Sequence, residues 1–85
     1  MKTFTYELKD PMGLHARPAG QLVKVAAGFT SAITVESPKG KADAKRIMAI
    51  MRLAAKQGTV ITITCEGDDE EAAAATVQKF LEENA

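Results

Sequence analysis

The stretch Gly13-Leu14-His15-Ala16-Arg17-Pro18-Ala19-Gly20 holds the only histidine of the chain, with an arginine two positions later and a proline directly after that. A neutral imidazole is a nucleophile near pH 7. An arginine brings a fixed positive charge and a fork of donors shaped for phosphate or carboxylate oxygens. Pro18 suits the first turn of a helix, where an amide proton would be unpaired in any case. The amides left unpaired in such a turn favour an anion. These residue types at this spacing could therefore carry a phosphoryl group on a ring nitrogen and match its charge. A solvated loop ahead of a helix has much the same composition. An arginine in a first turn opposes the helix dipole, however, and so asks for a use beyond helix stability.

The elements around this stretch follow from periodicity. Residues 3–8 alternate, with Phe4, Tyr6 and Leu8 on one side, and read as a half-buried strand. Residues 9–13 are a loop punctuated by Pro11 and Gly13. From 17 to 27, Ala19, Leu22, Val23 and Ala26 form the stripe of an amphipathic helix that Gly28 caps. Residues 31–36, a turn at 37–40 and a short return strand at 41–43 give a hairpin. Ile47, Ile50, Met51 and Ala54 restore helical spacing from 46 to about 55, and residues 59–66 are the clearest strand, with Ile61, Ile63 and Cys65 on one face. A last helix spans 67–84, with acidic residues at its start, Asp69 or Asp68 as N-cap, and an apolar stripe of Ala73, Val77, Phe80 and Leu81. The order predicts an α+β fold, a two-layer sandwich in one domain over residues 1–85.

Composition narrows the chemistry. A chain of 85 residues buries only a modest core, so chemistry is expected on the surface rather than in a cleft. Eleven basic residues cancel eleven acidic ones, and one Tyr with three Phe supplies no stacking platform, which argues against nucleic acid as partner. One cysteine excludes an internal disulfide and a Cys-based zinc site, and no metal or cofactor is expected. Residues 1–10 lack the apolar run of a signal peptide and no segment is long enough to span a membrane. The expectation is a soluble, cytoplasmic monomer.

The run from Gly13 to Gly20 resembles the phosphorylation signature of the HPr family, the histidine-containing phosphocarriers of the bacterial sugar phosphotransferase system. The likeness extends through residues 28–36, 41–45, 47–51, 57–64 and 66–73, in order and spacing. It implies a four-stranded antiparallel sheet covered on one face by three helices, in the order βαββαβα. It further implies that His15 takes a phosphoryl group on Nδ1 from the phosphohistidine of enzyme I and hands it to the IIA domain of a sugar permease. Arg17, and the backbone amides of Ala16 and Arg17, would hold the group. Such a chain is a phosphorylated carrier rather than an enzyme in its own right, since each partner supplies the other histidine.

A carrier with two partners needs an adaptable patch. Arg17, Gln21 and Lys24 share a polar helix face, and Met12, Met48 and Met51 are soft enough to repack against different surfaces. Helical spacing alone puts Ile50 and Met51 in the core and leaves Met48 off the stripe. The resemblance implies docking through Met12, Gly20, Gln21, Lys24, Ile47, Met48 and Met51.

The sequence departs from the family at Arg46, where a serine, in many members the target of a regulatory kinase, is common. No hydroxyl is available there, and a helix starting at an arginine forgoes a good N-cap, a loss of roughly 1 kcal/mol. Asp43 is placed to compensate if it reaches that helix. Ala54 stands where many members have glycine. Two other readings remain open at this point. One is a paralogous carrier in a regulatory or nitrogen-related phosphorelay. The other is a binding module without phosphoryl chemistry, which the presence of His15 disfavours.

Overall fold

Isoleucines and a cysteine at every second position of one strand decide which face of the sheet is inner. In the computed structural model, which describes residues 1–53 and 55–85, that strand is Val60–Glu66, and Ile61, Ile63 and Cys65 are fully buried while their neighbours face outward. It is β4, the sixth of seven elements: β1 (Lys2–Glu7), α1 (Ala16–Ala27), β2 (Ala32–Ser37), β3 (Gly40–Asp43), α2 (Ile47–Arg52), β4 (Val60–Glu66) and α3 (Glu70–Asn84).

The sheet has the order β1-β4-β2-β3, antiparallel throughout. Register puts Phe4, Ile63, Val35 and Ala42 in one row across its inner face, with Tyr6 beside Ile61 and Ile33 beside Cys65. Leu22 and Ala26 of α1, Ile50 of α2, and Val77 and Leu81 of α3 close the same core. Each large aliphatic side chain in it contributes roughly 1.5–3 kcal/mol relative to exposure. Threonines at 3, 5, 34, 62 and 64 occupy the other face. This is the expected open-faced sandwich, four strands under three helices. Among the described residues, no helix is long and apolar enough to cross a membrane.

Of three local readings, the first and third are corrected and the second, the Gly28 cap, holds. The α2 stripe of 47, 50, 51 and 54 does not all face inward: Ile50 and Leu53 are buried, while Ile47 is 39 % and Met51 41 % exposed. The helix is only six residues long, so a single seam at i and i+3 reaches the core. Ala54 lies outside the described residues. Gly28 does cap α1, but in right-handed conformation (φ −77°), so no left-handed turn is required there.

The third concerns Asp69, which sits at the N-cap of α3 without capping it. Its carboxylate instead accepts from the Thr30 amide (2.8 Å), the Ser31 amide (2.9 Å) and the Ser31 hydroxyl. Gly67, at φ +154°, makes this approach feasible, since a Cβ there would lie 2.7 Å from Ser31 Cα. The clamp ties the start of α3 to the entry of β2.

Those bonds, the Ser31 hydroxyl first and the Thr30 amide next, hold the Asp69 carboxyl down at about 2. A lowered folded-state pKa stabilises the fold above the ordinary carboxylate range of about 4, and the contribution fades as pH falls through about 2. Asp69→Asn should therefore melt below the wild type at neutral pH, and the gap should close on acidification. A gap of constant size in melting curves across that range would contradict the clamp.

Candidate functional site

The loop into α1 is fastened at nearly every residue. Leu8 N–H donates to Thr59 O (2.9 Å), and the amides of Lys9 and Asp10 both donate to the Ala85 backbone oxygen (2.7 Å each). Asp10 then folds the chain over itself: its Oδ1 accepts from the Met12 amide and its carbonyl from Gly13 N–H, at 2.8 Å each. Leu14 is buried and its amide donates to Ala55 O at 2.9 Å. The chain thus reaches His15 with its direction fixed.

His15 is the N-cap residue of α1, extended at φ −86° and ψ −173°, and its carbonyl accepts from Ala19 N–H at 3.0 Å. Its side chain makes no capping bond. Pro18 has no N–H to offer the imidazole, so the ring is not drawn into the usual bond to the third helical amide. Below Ala19, the Ala16 and Arg17 amides have no carbonyl partner within the helix and point out of its positive end. His15 is half-buried, and its Nε2 lies 3.8 Å from Oδ2 of Asp10.

His15, Arg17, Pro18 and Gln21 line one depression of about 270 Å³ together with Asp10; its far wall is Glu83 and Asn84 of α3. No ion pair engages Arg17 among the described residues, which leaves its guanidinium available for an anion seated beside the imidazole. A nucleophilic nitrogen, two outward amides and a fork of five donors can together receive a phosphoryl group and offset its charge. A larger hollow of about 420 Å³ at the β2–β3 edge, lined by Thr34, Lys41 and Asp43 among others, holds no histidine or cysteine. Cys65 is fully buried, and burial, with the charges of Glu70 and Asp69, pushes its thiol pKa up, so it stays an inert part of the core.

The residues named for docking fall into two groups. Gln21 joins His15 and Arg17 in the depression. Ile47, Met48 (63 % exposed) and Met51 present an apolar surface on α2. Gly20 is the joint between the groups, since a Cβ there would lie 3.5 Å from Ile47 Cδ1. Gly13 rests against Ala55 and Lys56, which brings the exposed Met12 loop to the far end of α2. Lys24 is exposed in the last turn of α1.

Arg46 is the N-cap of α2 and makes no side-chain cap. Asp43 turns the chain just before it, accepting from Lys45 N–H on Oδ1 (2.9 Å) and from Arg46 N–H on its carbonyl (3.0 Å). That positions the helix start but does not replace the missing cap. Asp10, Glu83 and Asn84 escape the sequence reading. The Asp-Pro of residues 10–11 is a turn signal, yet nothing local says that its carboxylate faces an imidazole or that the end of α3 closes the site.

Residues 2–83 match the family profile described as "PTS HPr component phosphorylation site". The phosphocarrier protein HPr of Lysinibacillus sphaericus is 45 % identical over 83 residues, 98 % of this chain and 94 % of that one. The solved histidine-containing phosphocarrier protein of a Mycoplasma superposes with a TM-score of 0.94 at 36 % identity, covering 96 % of this chain and 93 % of that one. Crh of Bacillus subtilis, whose crystal structure is a domain-swapped dimer, follows at a TM-score of 0.77 and 35 % identity, covering 100 % of this chain and 98 % of that one.

Proposed function

The chain belongs to the HPr family of phosphotransferase-system phosphocarriers, and from that premise we propose that it accepts a phosphoryl group on Nδ1 of His15 from enzyme I and passes it to IIA domains of sugar permeases. The observation that carries this reading is the position of the chain's one imidazole, uncapped at the start of α1 with Arg17 in the same depression. In the first transfer the Nδ1 lone pair forms a bond to phosphorus, and the P–N bond to the donor histidine breaks with its electron pair left on the donor. The second transfer reverses this. The Ala16 and Arg17 amides and the Arg17 guanidinium hold the group in line and offset its charge. Gln21, Lys24 and Gly20, with the apolar group of Met12, Ile47, Met48 and Met51, form the surface on which both partners dock. The chain acts as a cytoplasmic monomer.

Incubation with enzyme I, phosphoenolpyruvate and the Mg²⁺ that enzyme I requires should add one acid-labile phosphate by intact mass. An acid-resistant adduct, or none, would refute the carrier reading. A second consequence concerns control. Because Arg46 offers no hydroxyl at the start of α2, treatment with an HPr kinase and ATP should yield no phosphoprotein; a phosphoserine peptide in the digest would count against this. The same Arg46 lends support to a second reading, a carrier whose phosphate serves a regulatory relay. Both keep the chemistry at His15, and the acceptor that drains the phosphate distinguishes them.

A further inference from the structure

Asp10 is held on three sides. Its amide donates to the Ala85 oxygen (2.7 Å), its carbonyl accepts from Gly13 N–H (2.8 Å), and Oδ1 accepts from the Met12 amide (2.8 Å). What remains is Oδ2, 3.8 Å from His15 Nε2, with both side chains about 30 % exposed (30 % for His15, 29 % for Asp10). The other charged groups on this depression are Arg17 on α1 and Glu83 on α3. The spacing is that of an ion pair rather than a hydrogen bond. A carboxylate at that distance still favours a proton on the nitrogen that faces it, through its charge rather than through a hydrogen bond.

We propose that Asp10 is a positioning residue that keeps the imidazole proton on Nε2 and so leaves Nδ1 as the nucleophile; the proposal rests on the reading of His15 as the phosphoryl acceptor. A neutral ring with its proton on Nε2 has its lone pair on Nδ1. Attack on phosphorus forms the Nδ1–P bond, and the donor's P–N bond breaks with its pair on the donor nitrogen. The ring now carries a positive charge, with Nε2–H facing the Asp10 carboxylate. When the group moves on, the Nδ1–P electrons return to Nδ1 and the ring leaves neutral, its proton still on Nε2. No proton is gained or lost in either transfer. Were the Nδ1–H tautomer favoured, a proton would have to leave before each attack.

Asp10→Asn is the informative change. Its amide oxygen still accepts from Met12 N–H, while its NH₂ group, turned toward Nε2, favours a lone pair there and hence a proton on Nδ1. The ¹⁵N shifts of the His15 ring, at a pH where it is neutral, should show mainly Nε2–H in the wild type and a marked rise in Nδ1–H in the variant. Phosphorylation by enzyme I should slow by roughly tenfold, less than the loss seen when a fully buried carboxylate of this kind is amidated, because the pair is partly exposed. Asp10→Glu should recover part of both effects. Identical ring shifts and identical rates in wild type and Asp10→Asn would overturn the proposal. A wild-type chain that takes no phosphate would instead overturn the carrier reading, and the ring shifts would still decide the role of Asp10.

Discussion

Alanine in place of His15 should abolish the acid-labile phosphate completely while leaving the fold nearly as stable as before. The first half follows from inventory. The chain has one imidazole, and its one thiol is sealed in the core with its pKa pushed up, so neither a second imidazole nor the thiol can take the phosphoryl group in its place. The second half follows from the way His15 sits. Its backbone is in the extended region open to any residue, and its carbonyl, which alanine retains, starts the hydrogen-bond ladder of α1. Its side chain makes no cap to lose, and the pairing with Asp10 is partly exposed, so the cost should stay under about 1 kcal/mol. Intact mass after incubation with enzyme I and phosphoenolpyruvate reads the first effect, and a melting curve reads the second. A residual labile adduct on the alanine variant would move the active nitrogen away from His15. A collapsed melting temperature with the adduct gone would show only that the variant had unfolded.

How far this site is legible in the sequence depends on how local its parts are. Strand β4 announces itself through alternation, and α1 through the spacing of Ala19, Leu22 and Ala26, because period and burial coincide over enough residues to be unambiguous. His15 and Arg17 are two residues apart on one helix start, so their proximity too can be read directly. The short α2 cannot: with one and a half turns, periodicity does not say whether Met51 or Leu53 faces the core, and only the sheet beneath it decides. Asp69 looks like an N-cap in sequence, but its real partners are Thr30 and Ser31, 39 and 38 residues away. Asp10 and Glu83 meet across the same depression only because the Ala85 oxygen accepts from the Lys9 and Asp10 amides. Chemistry within one turn is written in the sequence, whereas the groups that orient it arrive through tertiary closure.

Gly13→Ala should be the most damaging of the small substitutions, because one residue there serves both fold and site. Gly13 is buried at φ +65°, and a Cβ on it would lie 2.2 Å from Ala55 O and 2.7 Å from Lys56 Cα. Both obstacles are backbone, so no rotamer change relieves them. The left-handed conformation alone costs a side chain about 1–2 kcal/mol, and forced overlap adds about 1–3 kcal/mol more. The oxygen struck is also the acceptor for Leu14 N–H, so moving it aside weakens the bond that leads the chain into His15. A loss of roughly 3 kcal/mol is a large share of a small domain's stability and corresponds to roughly 15 °C in melting temperature. Gly58→Ala is the control, since Gly58 is also left-handed (φ +86°) but has nothing within 4 Å of a Cβ. It should lose only the conformational part and phosphorylate normally. If the Gly13 variant melts no lower than the Gly58 variant, the loop has given way without cost. If it melts much lower yet phosphorylates at the wild-type rate while folded, the fastening of residues 8–14 stabilises the domain without aiming His15.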